Sequence, residues 1–135
     1  MFNDPSIKGI TLFLFSAIFL YGLYVQFHGD YSPGGGFQAG MICASAIVLC
    51  DMIYSSKFKK FYLFFEIIAI LGVITYSGTG LLTMILGSNF LSYNILANLP
   101  INGQVLGIFL VELGVAMTVS CSMILIYLSF SSYKQ

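Results

Sequence analysis

Four long apolar runs constrain this chain more than any other feature of its sequence. They cover about residues 7–27, 37–54, 61–86 and 104–130 of the 135 residues. A helix needs roughly 20 apolar residues to cross about 30 Å of hydrocarbon, and each run is close to that length or longer. Only 7% of the residues are charged, whereas soluble domains carry about 25%. The sequence therefore predicts an all-α membrane protein, a single domain of four transmembrane helices.

The composition also excludes several classes of function. The chain has no arginine and a net charge of zero, so it lacks the basic stripe that neutralises nucleic-acid phosphates. His28 is the only histidine, and Cys43, Cys50 and Cys121 lie in apolar runs without a C-x-x-C pair. No nucleophile–base–acid set is present. We therefore predict no metal site, no cofactor, no nucleic-acid partner and no enzymatic activity.

The lysines predict how the chain is oriented in the membrane. Four spans place the N terminus, the loop after the second span and the C terminus on one side. Every lysine falls on that side: Lys8, Lys57, Lys59, Lys60 and Lys134. By the positive-inside rule both termini are then cytoplasmic, and the loop at residues 28–36 is external. The uncharged loop at residues 87–103 is expected on the outer membrane surface or against a partner protein.

A glycine-rich stretch, residues 28–40, separates the first two spans. Its glycines match part of a dinucleotide-binding fingerprint, but that motif needs a preceding strand, and here a membrane helix precedes it. A Walker A loop would need Lys-Ser/Thr where Phe37 and Gln38 stand. Pro33 cannot continue a helix, and three consecutive glycines adopt dihedral angles that are closed to other residues. We therefore predict a sharp external hairpin.

Small residues continue from this hairpin into the second span. Gly36, Gly40 and Ala44 recur every four residues, which predicts close packing of that span on a neighbouring helix. The unpaired N–H groups at the start of the span also give it local positive character, which can face an anion or a carboxylate. Close packing is the main interpretation of these residues, and direct ion contact is the alternative.

Two glutamates inside apolar runs are the candidates for an ion path or a partner contact. Glu112 lies eight residues into the fourth run, roughly 12 Å from its outer end at 1.5 Å per residue. A carboxylate at that depth must be protonated, paired or hydrated. Glu66 lies five residues into the third run, and a salt bridge with the lysines at 57–60 is its alternative role. We expect no direct contact between the two, and we expect both to lie well outside the glycine stretch.

For three further polar residues we predict a position but no direct part in an ion path. Asp51 is expected at the membrane interface, paired with a lysine. His28 and Asp30 flank the outer end of the first span, where a histidine could titrate near neutral pH. A solvated loop residue is the favoured interpretation of His28.

Residues 31–41 strongly resemble the signature of the MnhB/MrpB family, small subunits of the multisubunit Mrp-type Na⁺/H⁺ antiporter. Six residues match that motif position by position: Pro33, Gly34, Gly35, Gly36, Phe37 and Gly40. The length and the four-span layout fit as well. Family members often carry a histidine close to the proline, whereas here His28 lies further upstream.

The resemblance implies a multi-pass protein of the bacterial cytoplasmic membrane that works with other subunits, including large antiporter-like ones. The assembly would exchange cytoplasmic Na⁺ for external H⁺. Two lone acids are too few for a complete path, so the function would depend on partners. Two alternatives stay open: the equivalent subunit of a hydrogenase-type redox complex that pumps ions, and an assembly subunit with no ion path.

Overall fold

The computed structural model of the chain is a bundle of four long helices. It describes residues 4–29, 34–54, 57–97 and 99–133. The long helices are α1 (Pro5–Phe27), α2 (Gly36–Tyr54), α3 (Tyr62–Ile85) and α4 (Pro100–Tyr133), and short 3-10 helices at Lys57–Phe61 and Tyr93–Ile95 precede α3 and α4. All four long helices are long and apolar enough to cross a membrane. The predicted all-α membrane fold with four spans is confirmed.

Proline starts two of the helices. Pro5 opens α1, where its fixed φ suits the first turn and its missing N–H is not needed. Pro100 opens α4, which therefore begins at residue 100 rather than at the predicted 104. With 34 residues, α4 is about 51 Å long at 1.5 Å per residue, well beyond the hydrocarbon thickness of about 30 Å. It is therefore the longest of the four helices and exceeds the length that a span requires.

The helices pack in the spatial order α1, α2, α4, α3. Residues without bulky side chains make the central contact between α2 and α4. A Cβ added at Gly40 would lie 2.8 Å from the carbonyl oxygen of Ala116 and 3.1 Å from Cβ of Val119. Such distances leave no room for a side chain, so α2 and α4 approach to backbone contact there. Glycines also allow close backbone contact between α3 and α4, where a Cβ added at Gly72 would lie 2.7 Å from the carbonyl oxygen of Gly114.

Small residues make the closest contacts between the helices, a few large apolar residues complete the core, and most large apolar residues cover the outside. The buried core cluster contains Ala44, Phe65, Cys121, Ile124 and Leu128. In contrast, the side chains of Phe13, Ile85 and Ile101 are 75–79% exposed. This distribution suits a bilayer, because lipid tails are as apolar as leucine and small residues let helix backbones come close.

The two ends of the bundle differ in chemistry. We call the end with Gly29 and Gly34–Gly36 the glycine end, and the opposite end, with Lys8 and the 3-10 helix Lys57–Phe61, the lysine end. At the lysine end the Tyr54 hydroxyl donates a hydrogen bond of 3.3 Å to the carbonyl of Lys8, which joins α1 to α2. The external position of the glycine end stays a prediction, and Lys134 lies outside the described residues.

The segment between α3 and α4 folds back onto these two helices. The Phe90 ring occupies the space beside Gly80, and the Tyr93 ring occupies the space beside Gly107. The backbone N–H of Leu91 donates to Oγ1 of Thr83 at 3.1 Å. The expected location of this loop, on a membrane surface or against a partner, is not tested by these contacts within the chain.

Candidate functional site

The carboxylate of Glu112 lies against the glycine turn. A Cβ added at Gly29 would lie 3.2 Å from Oε2 and 3.3 Å from Oε1 of Glu112, and one added at Gly35 would lie 3.4 Å from Oε1. The carboxylate therefore sits between the end of α1 and the start of α2. The expectation that both glutamates lie well outside the glycine stretch is wrong for Glu112.

The register of α2 against α4 brings Glu112 to this position. A side chain at Gly36 would overlap the backbone carbonyl group of Glu112, and Gly40 meets Ala116 and Ser120 one turn further along. The two helices run parallel, so small residues four apart on α2 face residues four apart on α4. Because the backbones of α2 and α4 touch at Gly36, the side chain of Glu112 can reach the glycine turn that precedes α2.

The turn itself requires glycine at one position. Gly35 has φ of +132°, which L side chains rarely adopt. Its carbonyl accepts a hydrogen bond of 3.0 Å from the N–H of Ala39, which forms the first turn of α2. The first N–H groups of a helix have no acceptor inside the helix, and the helix dipole places positive partial charge there. A carboxylate beside the start of α2 is therefore in a favourable field.

Glu112 is half-buried and lies level with the first residue of α2. It follows the start of α4 at Pro100 by twelve residues, about 18 Å along the helix, rather than the predicted eight. The 19 residues of α2 extend about 28 Å, nearly the full hydrocarbon thickness. Glu112 therefore lies level with the glycine end of α2, and the first three turns of α4 extend beyond that level.

The remaining motif residues divide into exposed and packed positions. Gly34 and Phe37 are exposed, whereas Gly36 and Gly40 are buried against α4. Pro33 lies outside the described residues, and so does Asp30. The buried glycines set the distance between α2 and α4, and the exposed Gly34 leaves the turn accessible.

His28 lies next to the turn but points along α1. It is exposed, its ring stacks on Tyr24 at 4.2 Å, and its Nδ1 lies 3.2 Å from the carbonyl oxygen of Tyr24. Within the described ranges, no group of three or more His, Cys, Asp or Glu side chains could hold a metal ion. The exposed position of His28 and its contacts with Tyr24 place it on the surface of α1.

Glu66 lies at the other end of the bundle. It is the fifth residue of α3, close to the lysine end, and its side chain is exposed. The structure therefore does not bring Glu66 and Glu112 together. The salt bridge between Glu66 and the neighbouring lysines stays a prediction.

Asp51 is more buried than the sequence led us to expect. Its side chain is 2% exposed, and its Oδ1 accepts a hydrogen bond of 3.1 Å from the backbone N–H of Phe58. The Tyr127 hydroxyl lies close to the same carboxylate, while Oδ2 has no hydrogen-bond partner among the described residues. Asp51 thus ties the end of α2 to the 3-10 helix and to α4. Pairing with a lysine stays a prediction.

Gln26 was not singled out from the sequence. Its side chain is 8% exposed, and neither Oε1 nor Nε2 has a hydrogen-bond partner in the part of the chain that the structure describes. A glutamine within an apolar span is the only signal in the sequence that could have drawn attention to it. It lies one turn before Gly29, and so close to the level of Glu112.

Comparisons with known proteins agree on one family. A family model described as "Domain related to MnhB subunit of Na+/H+ antiporter" matches residues 6–125. Two Staphylococcus aureus proteins, from strains Newman and COL, are each described as "Putative antiporter subunit mnhB2". Each is 34% identical to this chain over 134 residues, which cover 96% of this chain and 95% of the relative. No solved structure matches the chain.

Proposed function

The chain belongs to the MnhB family, and from that membership we propose that it is a membrane subunit of a multisubunit Na⁺/H⁺ antiporter. In this proposal it resides in the bacterial cytoplasmic membrane and works with other subunits, including large antiporter-like ones. The four membrane-spanning helices and the similarity to antiporter subunits over nearly the whole chain support this role.

We further propose that Glu112 contributes to the ion path or to its lining at a subunit contact. The observation that carries this proposal is the position of its carboxylate between Gly29 and Gly35. These residues have no side chains that would block a hydrated cation, water or a partner's side chain. The start of α2 supplies partial positive charge, so the carboxylate can exchange a proton or a cation without leaving an isolated charge in lipid.

The described residues do not by themselves form a complete path. Glu66 lies exposed near the opposite end, and the interior between the two glutamates is lined mainly by small and apolar residues. Partner subunits would therefore supply the remaining polar groups. The lysines predict that the glycine end is external, which places Glu112 where external protons would enter and exported Na⁺ would leave.

Replacing Glu112 by glutamine tests this role. The whole complex would be reconstituted in vesicles, and the initial rate of Na⁺-driven proton movement would be measured. We expect Glu112→Gln to lower that rate at least about tenfold, which corresponds to about 1.4 kcal/mol in the barrier. Asp4→Asn is the matched control, because Asp4 is exposed at the lysine end and makes no side-chain capping bond to α1.

Complex composition must be measured in the same preparations. All subunits should be retained in Glu112→Gln, because glutamine keeps the size and shape of the side chain. If the Glu112→Gln complex is intact and exchanges ions at the wild-type rate, the role of Glu112 is refuted. Wild-type chain that purifies without any other subunit would refute membership of the complex.

A further inference from the structure

The missing side chain of Gly29 leaves space that the Glu112 carboxylate occupies. A Cβ added at Gly29 would lie 3.2 Å from Oε2 and 3.3 Å from Oε1 of Glu112, and 3.4 Å from Cα of Gly35. The first two distances are tighter than nine in ten contacts of real Cβ atoms, whereas the third is an ordinary van der Waals contact. A side chain at position 29 would therefore press first on the two carboxylate oxygens.

The backbone at position 29 does not account for the glycine. Gly29 follows the C-cap of α1, a place where glycine is common because the chain often adopts a positive φ there. Among the described glycines, however, only Gly35 and Gly87 have a positive φ. The φ angle therefore requires glycine at position 35 but not at position 29. The contact with the carboxylate is the feature of the structure that excludes a side chain there.

We propose that Gly29 is a positioning residue for Glu112, because its lack of a side chain keeps open the place of the carboxylate at the start of α2. This inference rests on the proposed function, since ion exchange is the process that would depend on that place. A methyl group at position 29 would move the carboxylate oxygens by a few tenths of an ångström. Gly29 thus acts on exchange through Glu112 and has no contact with the ion itself.

A double-mutant cycle between positions 29 and 112 tests this role. The initial rate of Na⁺-driven proton movement would be measured in vesicles that contain the whole complex. We expect Gly29→Ala to lower this rate about three- to fivefold when Glu112 is present, because a misplacement of about 1 Å can cost about a hundredfold. Aspartate is shorter by one methylene group and stands back from position 29. In the Glu112→Asp background, Gly29→Ala should therefore cost less than about 1.5-fold.

Gly9→Ala is the matched control on α1, because nothing lies within 4 Å of a Cβ added at Gly9. It should leave the rate unchanged in both backgrounds. Three outcomes overturn the inference. They are a Gly29→Ala complex that exchanges ions at the wild-type rate; an equal fold-loss in both backgrounds, which would show that the turn itself needs glycine; and a Gly29→Ala chain that fails to assemble with either side chain at position 112.

Unfolding of the purified chain in SDS tests the contact without the use of ion exchange. The effect of Gly29→Ala on the unfolding equilibrium constant should differ about fivefold between the Glu112 and Glu112→Asp backgrounds, the low end of the range for overpacking. The restriction that alanine places on the unfolded chain is the same in both backgrounds and cancels.

The two measurements separate failure of the inference from failure of the proposed function. If the unfolding difference is present but Glu112→Gln exchanges ions at the wild-type rate in an intact complex, the contact exists, and the proposed function and the positioning role are both refuted. If Glu112→Gln is impaired but neither the rate nor the unfolding shows coupling between positions 29 and 112, the inference alone is refuted.

Discussion

Replacing Gly40 by alanine should weaken the contact between α2 and α4 by an amount that the structure sets. The new Cβ would lie 2.8 Å from the carbonyl oxygen of Ala116, 3.1 Å from Cβ of Val119 and 3.2 Å from the backbone nitrogen of Ser120. Two of these three atoms are backbone, so only a shift of the whole helix could relieve the overlap. Overpacking of this kind costs about 1–3 kcal/mol.

Gly78 provides the matched control on α3. No atom lies within 4 Å of a Cβ added there, so Gly78→Ala gains the helix propensity of alanine, about 1 kcal/mol, without a clash. Gly40→Ala gains the same propensity but also suffers the overlap. The free energy of unfolding should therefore be about 1–3 kcal/mol lower for Gly40→Ala than for Gly78→Ala.

Titration of the purified chain with SDS in mixed micelles, followed by circular dichroism, would measure this difference. Both variants should unfold in a single transition, so that their midpoints can be compared. Equal stability of the two variants would show that α2 and α4 are not in backbone contact at Gly40. The register that places Glu112 at the turn would then be wrong as well.

Three further predictions concern the turn, the lysine end and the orientation. Gly35→Ala should lower the free energy of unfolding by about 1–3 kcal/mol because φ is +132° at that position. The same titration would show this, with Gly34→Ala as the control. Equal stability of the two variants would show that position 35 does not require glycine. Asp51→Leu should lower the free energy of unfolding by about 1–3 kcal/mol because the partly buried Phe58 N–H loses its acceptor, and Asp51→Asn should recover part of the loss. A fully stable leucine variant would refute the role of this bond. The orientation can be tested in a variant without the native cysteines. A cysteine in place of Gly34 should react with an impermeant thiol reagent added outside the cell, whereas a cysteine in place of Lys60 should not react. The reverse result would invert the predicted orientation.

The membrane-spanning helices could be predicted because their signal is local. Each span is a continuous apolar run, and the bilayer fixes the length that such a run needs. The predicted start of α4 falls four residues late because Pro100 and Asn102 read as turn residues in the sequence, so the apolar run begins after the helix does. Proline at the first helical position was the signal for the true start, since Pro100 suits that position and no interior one.

The contact between Glu112 and the glycine turn could not be predicted because it depends on how two helices are rotated against each other. The sequence shows the small residues on α2, but it does not show which helix they meet. Once Gly36 is placed on the backbone of Glu112, the position of the carboxylate follows. The burial of Asp51 was missed for a similar reason, since its acceptor role depends on the path of the chain at Phe58.

We propose that the carboxylate of Glu112, held at the glycine turn, takes part in ion exchange. The most direct test compares Glu112→Asp with Glu112→Gln in vesicles that contain the whole complex, by the initial rate of Na⁺-driven proton movement. Aspartate keeps a titratable carboxylate near Gly35, whereas glutamine keeps the shape and loses the charge. We expect measurable exchange with aspartate and at least about a tenfold loss with glutamine. Equal rates for the two variants in intact complexes would contradict it.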